Sequence, residues 1–309
     1  MHISVIMATY NGERFLAETI ESVLAQTFGD FEFVIIEDGS TDRTAAILAD
    51  YEKRDERIRV FRQDNQGIAS ALNRAVSLSR APWLAHIDQD DRALPGWLQA
   101  QLDFLGQHPE CSVVSSYAFF IDSEGRRLGR AGNPVDVAKG RARMNPSDFL
   151  EIVHSTVLMK RSDILDVGGY RTPDAVADRD LWGRVVTSGR MIRCNSQSLV
   201  EYRLHGGATT IRKRTKSEVI RSWGIDVNIM RRMRGQSELS PTELESWYVS
   251  RNIFVRLNQQ RIGKAKGLTA MASRKYAERR WLAFYLIMAQ AITLRPLVLI
   301  TRIVRKLYY

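Results

Sequence analysis

The stretch Trp83-Leu84-Ala85-His86-Ile87-Asp88-Gln89-Asp90-Asp91 passes from a short apolar run to three carboxylates within four residues. Its apolar part has the length and composition of a buried strand. Carboxylates this close repel one another unless a cation or hydrogen-bond donors offset the charge. Oxygen-only ligands of this kind suit a hard divalent ion such as Mg²⁺ or Mn²⁺. Taken alone, the same residues also describe an acidic turn that caps a helix, so the flanking pattern has to discriminate.

Upstream, residues 3–8 read as a buried strand, followed by the turn Thr9-Tyr10-Asn11-Gly12. Over residues 13–26, Phe15, Leu16, Ile20, Val23 and Leu24 recur at helical spacing. Phe31-Glu32-Phe33-Val34-Ile35-Ile36 is a second strand, ended by Glu37-Asp38-Gly39-Ser40, and Ser40 or Thr41 is expected to cap a helix over 42–54. A strand over 58–61, a helix over 67–79 and the strand 83–87 continue the alternation. Strand and helix alternating through short links predict an α/β fold with a doubly wound, mostly parallel, Rossmann-like sheet. Ligands bind outside the carboxyl ends of such strands. The turns at 9–12, 37–40 and 88–91 are therefore expected to converge on one crevice. No Gly-x-Gly-x-x-Gly follows the first strand and no Walker lysine loop is present, which disfavours dinucleotide and P-loop chemistry.

Downstream, Leu94-Pro95-Gly96-Trp97 opens a helix to about residue 107, residues 111–117 form a strand, and Ser123-Glu124-Gly125 makes a turn. Residues 126–147, rich in Arg, Gly, Asn and Pro, are expected to form a mobile loop over the crevice. Ser155-Thr156-Val157-Leu158-Met159-Lys160 is expected to resume the sheet, with Ser162 capping a short helix that ends at Gly168-Gly169. A helix over 178–188 carries Asp178 and Asp180 in its first turn, where the helix dipole favours anions. A short strand over 199–203 precedes His205-Gly206-Gly207.

Five pieces occur in order: Ser4-Val5-Ile6-Met7-Ala8-Thr9-Tyr10-Asn11, Val34-Ile35-Ile36-Glu37-Asp38-Gly39-Ser40-Thr41-Asp42, Asp88-Gln89-Asp90-Asp91, Asp178-Arg179-Asp180-Leu181-Trp182 and Tyr202-Arg203-x-His205. Together, over roughly residues 1–210, they resemble the family 2 glycosyltransferases with the GT-A fold. The resemblance implies inverting transfer of a single sugar from a nucleotide-sugar, a UDP-sugar foremost, to a glycan or lipid-linked acceptor in cell-surface polysaccharide synthesis. It places Thr9, Tyr10, Asn11, Glu13, Asp38, Gly67 and Asp88 around the donor, with Thr9 and Tyr10 at the base and Asp38 accepting from a base N–H. It implies a divalent metal, Mn²⁺ or Mg²⁺, with Asp90 as main ligand and Asp88 beside the ribose or the metal. His205 is a further candidate for the metal or the diphosphate.

The chemistry needs such groups. A departing diphosphate requires charge stabilisation, which a bridging divalent ion supplies as a Lewis acid. An acceptor hydroxyl needs a carboxylate base on the opposite face. The resemblance places that base at Asp178. Ala177 stands where the family has Glu, so Asp180 remains open as the base, with Asp178 as helix cap. Asp91 stays open between a ligand and a holder of the loop, and Arg203 between a phosphate contact and an ion pair. His154 and Ser155 stay open between acceptor contacts and a core pair, while His86 is read as structural. The Gln-x-x-Arg-Trp motif of processive synthases is absent, which favours single addition. Two rivals remain. Nucleotidyl transfer on a similar sheet would want a Gly-rich, basic loop after the first strand, which Ala8-Thr9-Tyr10-Asn11-Gly12-Glu13 does not supply. A non-catalytic sugar-nucleotide-binding or scaffold protein would have lost metal or base carboxylates, and both are present.

The 309 residues suffice for one or two domains. The net charge of +10 is uneven: residues 211–309 hold 21 Lys and Arg against 6 Asp and Glu, and residues 1–210 hold 24 against 29. A division into a catalytic domain over 1–210 and a basic, mostly helical extension over 211–309 follows. Cys111 and Cys194 have no Cys-x-x-Cys spacing, which fits a reducing, cytoplasmic compartment. The N-terminus reads as a first core strand and not a signal peptide, and no apolar run reaches the length of a clear membrane span. Basic clusters fall at 212–216, 231–234 and 274–280. The apolar run Trp281-Leu282-Ala283-Phe284-Tyr285-Leu286-Ile287-Met288-Ala289 is too short to span. After Pro296, a helical wheel sets Leu297, Ile300, Ile303, Val304 and Leu307 on one side, and Arg302, Arg305 and Lys306 on the other. This pattern fits a segment lying in the interface at the inner face of a membrane. Packing on the catalytic domain or on a partner in an oligomer is the alternative. No nucleic-acid motif accompanies the basic helices.

Overall fold

The run Ile3–Thr9 is apolar on both faces, as a strand covered by helices on either side must be, and it forms strand β1, buried at every position but Ala8. In the computed structural model, which describes residues 1–131, 152–171, 177–206, 216–250 and 281–294, β1 is central. It pairs in parallel with β2 (Phe31–Asp38) on one side and β4 (Trp83–His86) on the other, so that Ile6 lies opposite both Val34 and His86. Strand β3 (Ile58–Gln63) extends the parallel set beyond β2. Past β4 the direction changes. Strand β8 (Leu158–Lys160) is antiparallel to β4, β6 (Cys111–Ile121) is antiparallel to β8, and β9 (Met191–Arg203) and β5 (Arg92–Ala93) complete the order β3-β2-β1-β4-β8-β6-β9-β5, with β7 (Arg127–Ala131) on β6. Helices α1 (Leu16–Leu24), α2 (Thr44–Arg54) and α3 (Ile68–Leu78) link the parallel strands and α4 (Trp97–Gln107) follows β5. Ile20, Val23, Phe33, Ile35, Leu48 and Trp97 are among the residues of the core they close.

The described residues of Met1–Phe120, Gly129–Arg203 and Ile229–Gln236 form one compact unit, and the remaining described residues a second. The second includes most of α7 (Lys216–Met233), α8 (Pro241–Ser250) and α9 (Trp281–Leu294). Within it, Asn228 exchanges hydrogen bonds with both backbone groups of Leu239 and so closes the turn between α7 and α8. Among the described residues no helix is long and apolar enough to cross a membrane. The basic clusters at 212–215 and 274–280 and the wheel after Pro296 lie outside the described residues.

Several local expectations need correction. Helix α2 starts at Thr44 without a cap from Ser40 or Thr41. The Ser40 hydroxyl instead accepts the Asn11 N–H at 3.1 Å, and Asp42 Oδ1 accepts the Thr44 N–H at 2.9 Å. Residues 127–131 are strand β7 and not the start of a mobile loop; the rest of that segment, 132–147, lies outside the described residues. Ser155 and Thr156 belong to a 3₁₀ turn (His154–Thr156) before β8; the Ser155 hydroxyl donates to Asp91 and the Thr156 hydroxyl accepts the Ser116 N–H of β6. Ser162 is already inside α5 (Arg161–Asp166), which has no side-chain cap. Strand β9 spans 13 residues, far more than 199–203.

The buried Glu32 ties three elements: it accepts from the Ser4 hydroxyl at 2.7 Å, the Arg80 N–H at 2.7 Å and the Arg59 guanidinium at 2.5 Å. Burial pushes its carboxyl up, but these donors outweigh burial and hold it below the usual carboxylate value. A depressed carboxyl stabilises the fold above its unfolded pKa, and that contribution is lost as pH falls through the folded value. Glu32→Gln is therefore expected to cost about 1–3 kcal/mol at pH 7. In urea melts the gap from wild type should narrow as pH drops below about 4.

Candidate active site

Three turns meet at the carboxyl ends of the parallel strands. After β1, Asn11 adopts the left-handed region (φ 49°). Its side-chain oxygen accepts the Thr41 N–H at 2.9 Å, which stitches the first turn to the second. Glu13 does the same one step on, accepting the Arg43 N–H at 3.1 Å. Asn11 and Glu13 thus hold turns, whereas Tyr10 is 44% exposed on the rim. Thr9 is buried. Asp38, at the end of β2, is also buried and organises the next loop. Its Oδ1 accepts from Gln63 Nε2 at 2.7 Å and the Gln66 N–H at 3.0 Å, and its Oδ2 accepts the Gly67 N–H at 2.9 Å. A carboxylate offers about four acceptor positions, and among the described residues three of those on Asp38 are filled. Gly39 is required here, with φ +73° and room for no side chain: a Cβ would meet the Asn65 nitrogen at 2.7 Å.

The carboxylate turn after β4 is clamped by distant residues. The Thr19 hydroxyl on α1 lies 2.9 Å from the Gln89 carbonyl and 2.7 Å from the Asp91 carbonyl, and Arg203 Nε donates to the Asp90 carbonyl at 2.8 Å. Asp91 is buried. Its Oδ1 accepts the Arg203 N–H at 2.8 Å and its Oδ2 accepts from the Ser155 hydroxyl, whose oxygen in turn accepts the Asp88 N–H at 3.0 Å. Asp91 therefore holds the turn. Arg203 is a buried structural cation, paired with Glu18 at 2.5 Å and stacked 4.5 Å over Phe15. Glu18 also binds Arg92 at 2.7 Å, and Arg92 binds Glu201 at 2.6 Å. That leaves Asp88 and Asp90, both part-exposed, toward the crevice.

Helix α6 (Ala177–Thr187) brings the last acidic group. Burial and the charges of Asp90 and Asp178 push Asp88 up to about 7, against the lowering effect of its Ser155 hydrogen bond. Tyr170 is raised by burial and by Asp178 and Asp88. Asp178, Asp88 and Tyr170 thus lie near enough to one another for their charges to interact. Asp180 does not point there: it is buried and accepts from Arg184 Nε at 2.8 Å, while Arg184 also binds the carbonyls of Val167 and Gly169. His154 stacks on His86 at 3.6 Å, bonds to the Tyr170 hydroxyl at 2.9 Å and meets Trp182 edge-on. Burial lowers His86 to about 3. The two rings are thus a neutral wall.

The donor set fits a divalent cation. Repulsion among Asp88, Asp90 and Asp178 is the kind a hard cation offsets, and carboxylate oxygens are its preferred ligands. His86, Asp88 and His154 also place three possible ligand atoms within 4.8 Å. Imidazole lone pairs lie in the ring plane, however. Planes 14° apart at 3.6 Å meet far beyond the ~2.0–2.1 Å of a metal–nitrogen bond, so this pair cannot chelate one ion. His205 is half-buried two residues past β9, in the second unit. Thr19, Glu18, Gln89 and Tyr170 were not legible as site residues, since each acts across 70 or more positions of chain or through burial.

The model of the family described as glycosyl transferase family 2 matches residues 4–168, more than half of the chain. The chain belongs to that family. Among its relatives, the putative glycosyltransferase EpsE of Bacillus subtilis is 33% identical over 192 residues, covering 60% of this chain and 67% of that protein. The O-antigen biosynthesis glycosyltransferase WbnJ of Escherichia coli is 29% identical over 210 residues, covering 67% and 81%. Solved structures share the fold. TarS 1–349 of S. aureus in complex with UDP-GlcNAc superposes with a TM-score of 0.60 at 17% identity, covering 95% of this chain and 89% of that one. The mannosyltransferase PcManGT of Pyrobaculum calidifontis, in complex with GDP-Man and Mn²⁺, gives 0.56 at 15% identity, covering 94% and 86%.

Because Asp91 acts through hydrogen bonds rather than as a ligand, Asp91→Asn should be tolerated, its Oδ1 still accepting from Arg203 and its amide donating to Ser155. Asp91→Ala removes the acceptor of the Arg203 N–H and leaves the Ser155 hydroxyl only its longer bond to Asp88 at 3.2 Å, and is expected to cost about 1–3 kcal/mol, read as the difference in denaturation midpoint between the two variants.

Proposed function

We propose that the chain is an inverting, metal-dependent glycosyltransferase. It moves one sugar from a nucleotide-sugar, a UDP-sugar first, to a glycan or lipid-linked acceptor in surface polysaccharide synthesis. The observation that supports the reading is that Asp90, which like Asp88 follows β4, and Asp178, at the start of α6, both lie near enough to Asp88 to raise its carboxyl, past the strand ends where such sheets bind ligands. The donor preference draws on TarS, whose structure holds UDP-GlcNAc, with GDP-mannose second because PcManGT holds it. The setting draws on WbnJ and on a teichuronic acid biosynthesis glycosyltransferase of Bacillus subtilis, TuaG.

In this reading Tyr10 lies along the base. Asp38 Oδ2 accepts a base N–H, and Gly67, whose N–H Asp38 holds, lines the same wall. Asp90 and Asp88 would hold Mn²⁺ or Mg²⁺, which supplies Lewis-acid stabilisation of the departing diphosphate. Asp178 accepts the proton of the acceptor hydroxyl as its oxygen attacks the anomeric carbon from the face opposite the diphosphate, which inverts that carbon. Asp180 is a structural anchor because Arg184 occupies it. Tyr170 and the His154–His86 stack give the site an uncharged lining beside Asp88. The C-terminal region is proposed to lie on the inner face of the membrane, with Leu282, Tyr285 and Leu286 of α9 exposed and basic residues on either side in sequence.

A donor screen for nucleoside diphosphate release, with Mn²⁺ and with EDTA, tests this. Asp178→Asn is expected to lower kcat about 10²–10⁴-fold, and Asp90→Asn to abolish the metal-dependent part. Metal-independent turnover, or an inactive Asp180→Asn that folds beside an active Asp178→Asn, would overturn the respective assignment. Liposomes containing anionic lipid should co-sediment the full chain but not a truncation after residue 210.

A further inference from the structure

Gln89 stands between Asp88 and Asp90, yet its side chain serves a different loop. Oε1 accepts the Tyr10 N–H at 3.0 Å and the Thr9 hydroxyl at 2.5 Å, and Nε2 donates to the Tyr10 carbonyl at 3.1 Å. One amide thus meets both backbone groups of Tyr10, as a neighbouring strand would, across 79 positions of chain. The pairing has one sense only, because exchanging oxygen and nitrogen would set donor against donor and acceptor against acceptor. At its other end Gln89 is held too, with its carbonyl on the Thr19 hydroxyl. The turn after β1 is shaped to admit the amide: a Cβ at Gly12 would sit 2.5 Å from Gln89 Oε1 and 2.9 Å from Thr9 Oγ1. No side chain other than hydrogen fits beside it.

A nucleoside diphosphate is a ligand of fixed length with two kinds of handle, a flat base and a doubly charged tail. Binding both at once requires the surfaces that receive them to be held at a matching separation, since a misplacement of about 1 Å weakens such clamps severely. Tyr10 and the Asp88–Asp90 turn come from different strands, and Gln89 is the covalent neighbour of one and the hydrogen-bonded neighbour of the other.

We infer that Gln89 is a positioning residue for the donor: by pairing with the Tyr10 backbone it sets the distance between the nucleoside platform and the carboxylates that receive the diphosphate. This rests on the nucleotide-sugar reading of the same site. Gln89 acts through Tyr10, so its loss should weaken nucleoside binding even where no phosphate or metal is involved. It is expected to leave the chemical step of bound donor nearly untouched.

The test compares wild type with Gln89→Met, which keeps the side chain's length and removes its N–H and C=O. Gln89→Ala, which removes the bulk as well, serves as a second variant should the first misfold. Kd values for UDP with Mn²⁺ and for uridine without metal are measured by calorimetry or competition, or for GDP and guanosine if wild type prefers that base. Both variants should raise both Kd values about tenfold, the donor KM should rise in step, and kcat should change less than about threefold. Wild-type affinity in Gln89→Met overturns the inference, as does a loss seen with UDP and Mn²⁺ but not with uridine, or a fall in kcat at unchanged KM. A wild-type chain that binds neither nucleotide overturns the nucleotide-sugar reading and this inference with it.

Discussion

Three carboxylates in four residues cannot be held together by their own stretch of chain, and the way they are held governs the site. The carbonyls of the turn from Gln89 to Asp91 are met from elsewhere: those of Gln89 and Asp91 share the one hydroxyl of Thr19 on α1, and that of Asp90 accepts from Arg203 at the end of β9. The third carboxylate, Asp91, is withdrawn into the fold and given two donors of its own. Negative charge is thereby divided. One carboxyl lies in the interior, where burial and the charges of Asp90 and Asp88 push it well up against the lowering effect of its bonds to Ser155 and Arg203, and two face the crevice, where a divalent cation is the natural complement. Arg203 extends the clamp into a chain of alternating charges with Glu18, Arg92 and Glu201 that reaches from α1 to β9. A part-buried network of this kind specifies one arrangement of the turn more than it adds stability.

The side chains beside Asp88 follow a different rule. His86 and His154 are close and enclosed, and burial holds both well below their ordinary titration range, so the wall is uncharged. Tyr170 and Trp182 complete it. Helix α6 presents two carboxylates one residue-pair apart, and the fold separates them by burial. Asp180 turns inward to Arg184 and fixes the chain around Gly169, while Asp178 stays part-exposed and near enough to Asp88 to raise it. Two residues of one type, two positions apart, therefore carry different work because their environments differ.

Much of this was legible in advance. The alternation of apolar runs and helical periodicity gave the strands and helices of the parallel half of the sheet, though not the order of its strands, and the rule that ligands gather at the strands' carboxyl ends pointed to the three turns. Errors fell where a side chain preferred a distant partner to its local one. Ser40 bonds to Asn11 instead of capping α2, and Ser155 bonds across to Asp88 and Asp91 instead of extending β8. Strand lengths were also short of the mark, as β9 continues through polar residues 193–198 that carry no strand signal of their own and are held by pairing.

Sequence alone determined the family, the α/β alternation and the pool of candidate carboxylates, since each depends on residue type and on spacing along the chain. It left Asp91, Arg203 and the choice between Asp178 and Asp180 open, and it was silent on Gln89. Those roles depend on burial and on partners tens to more than a hundred residues away. Only the tertiary structure brings such groups within hydrogen-bonding distance, and a carboxylate becomes a ligand, a base or a clamp according to what then surrounds it.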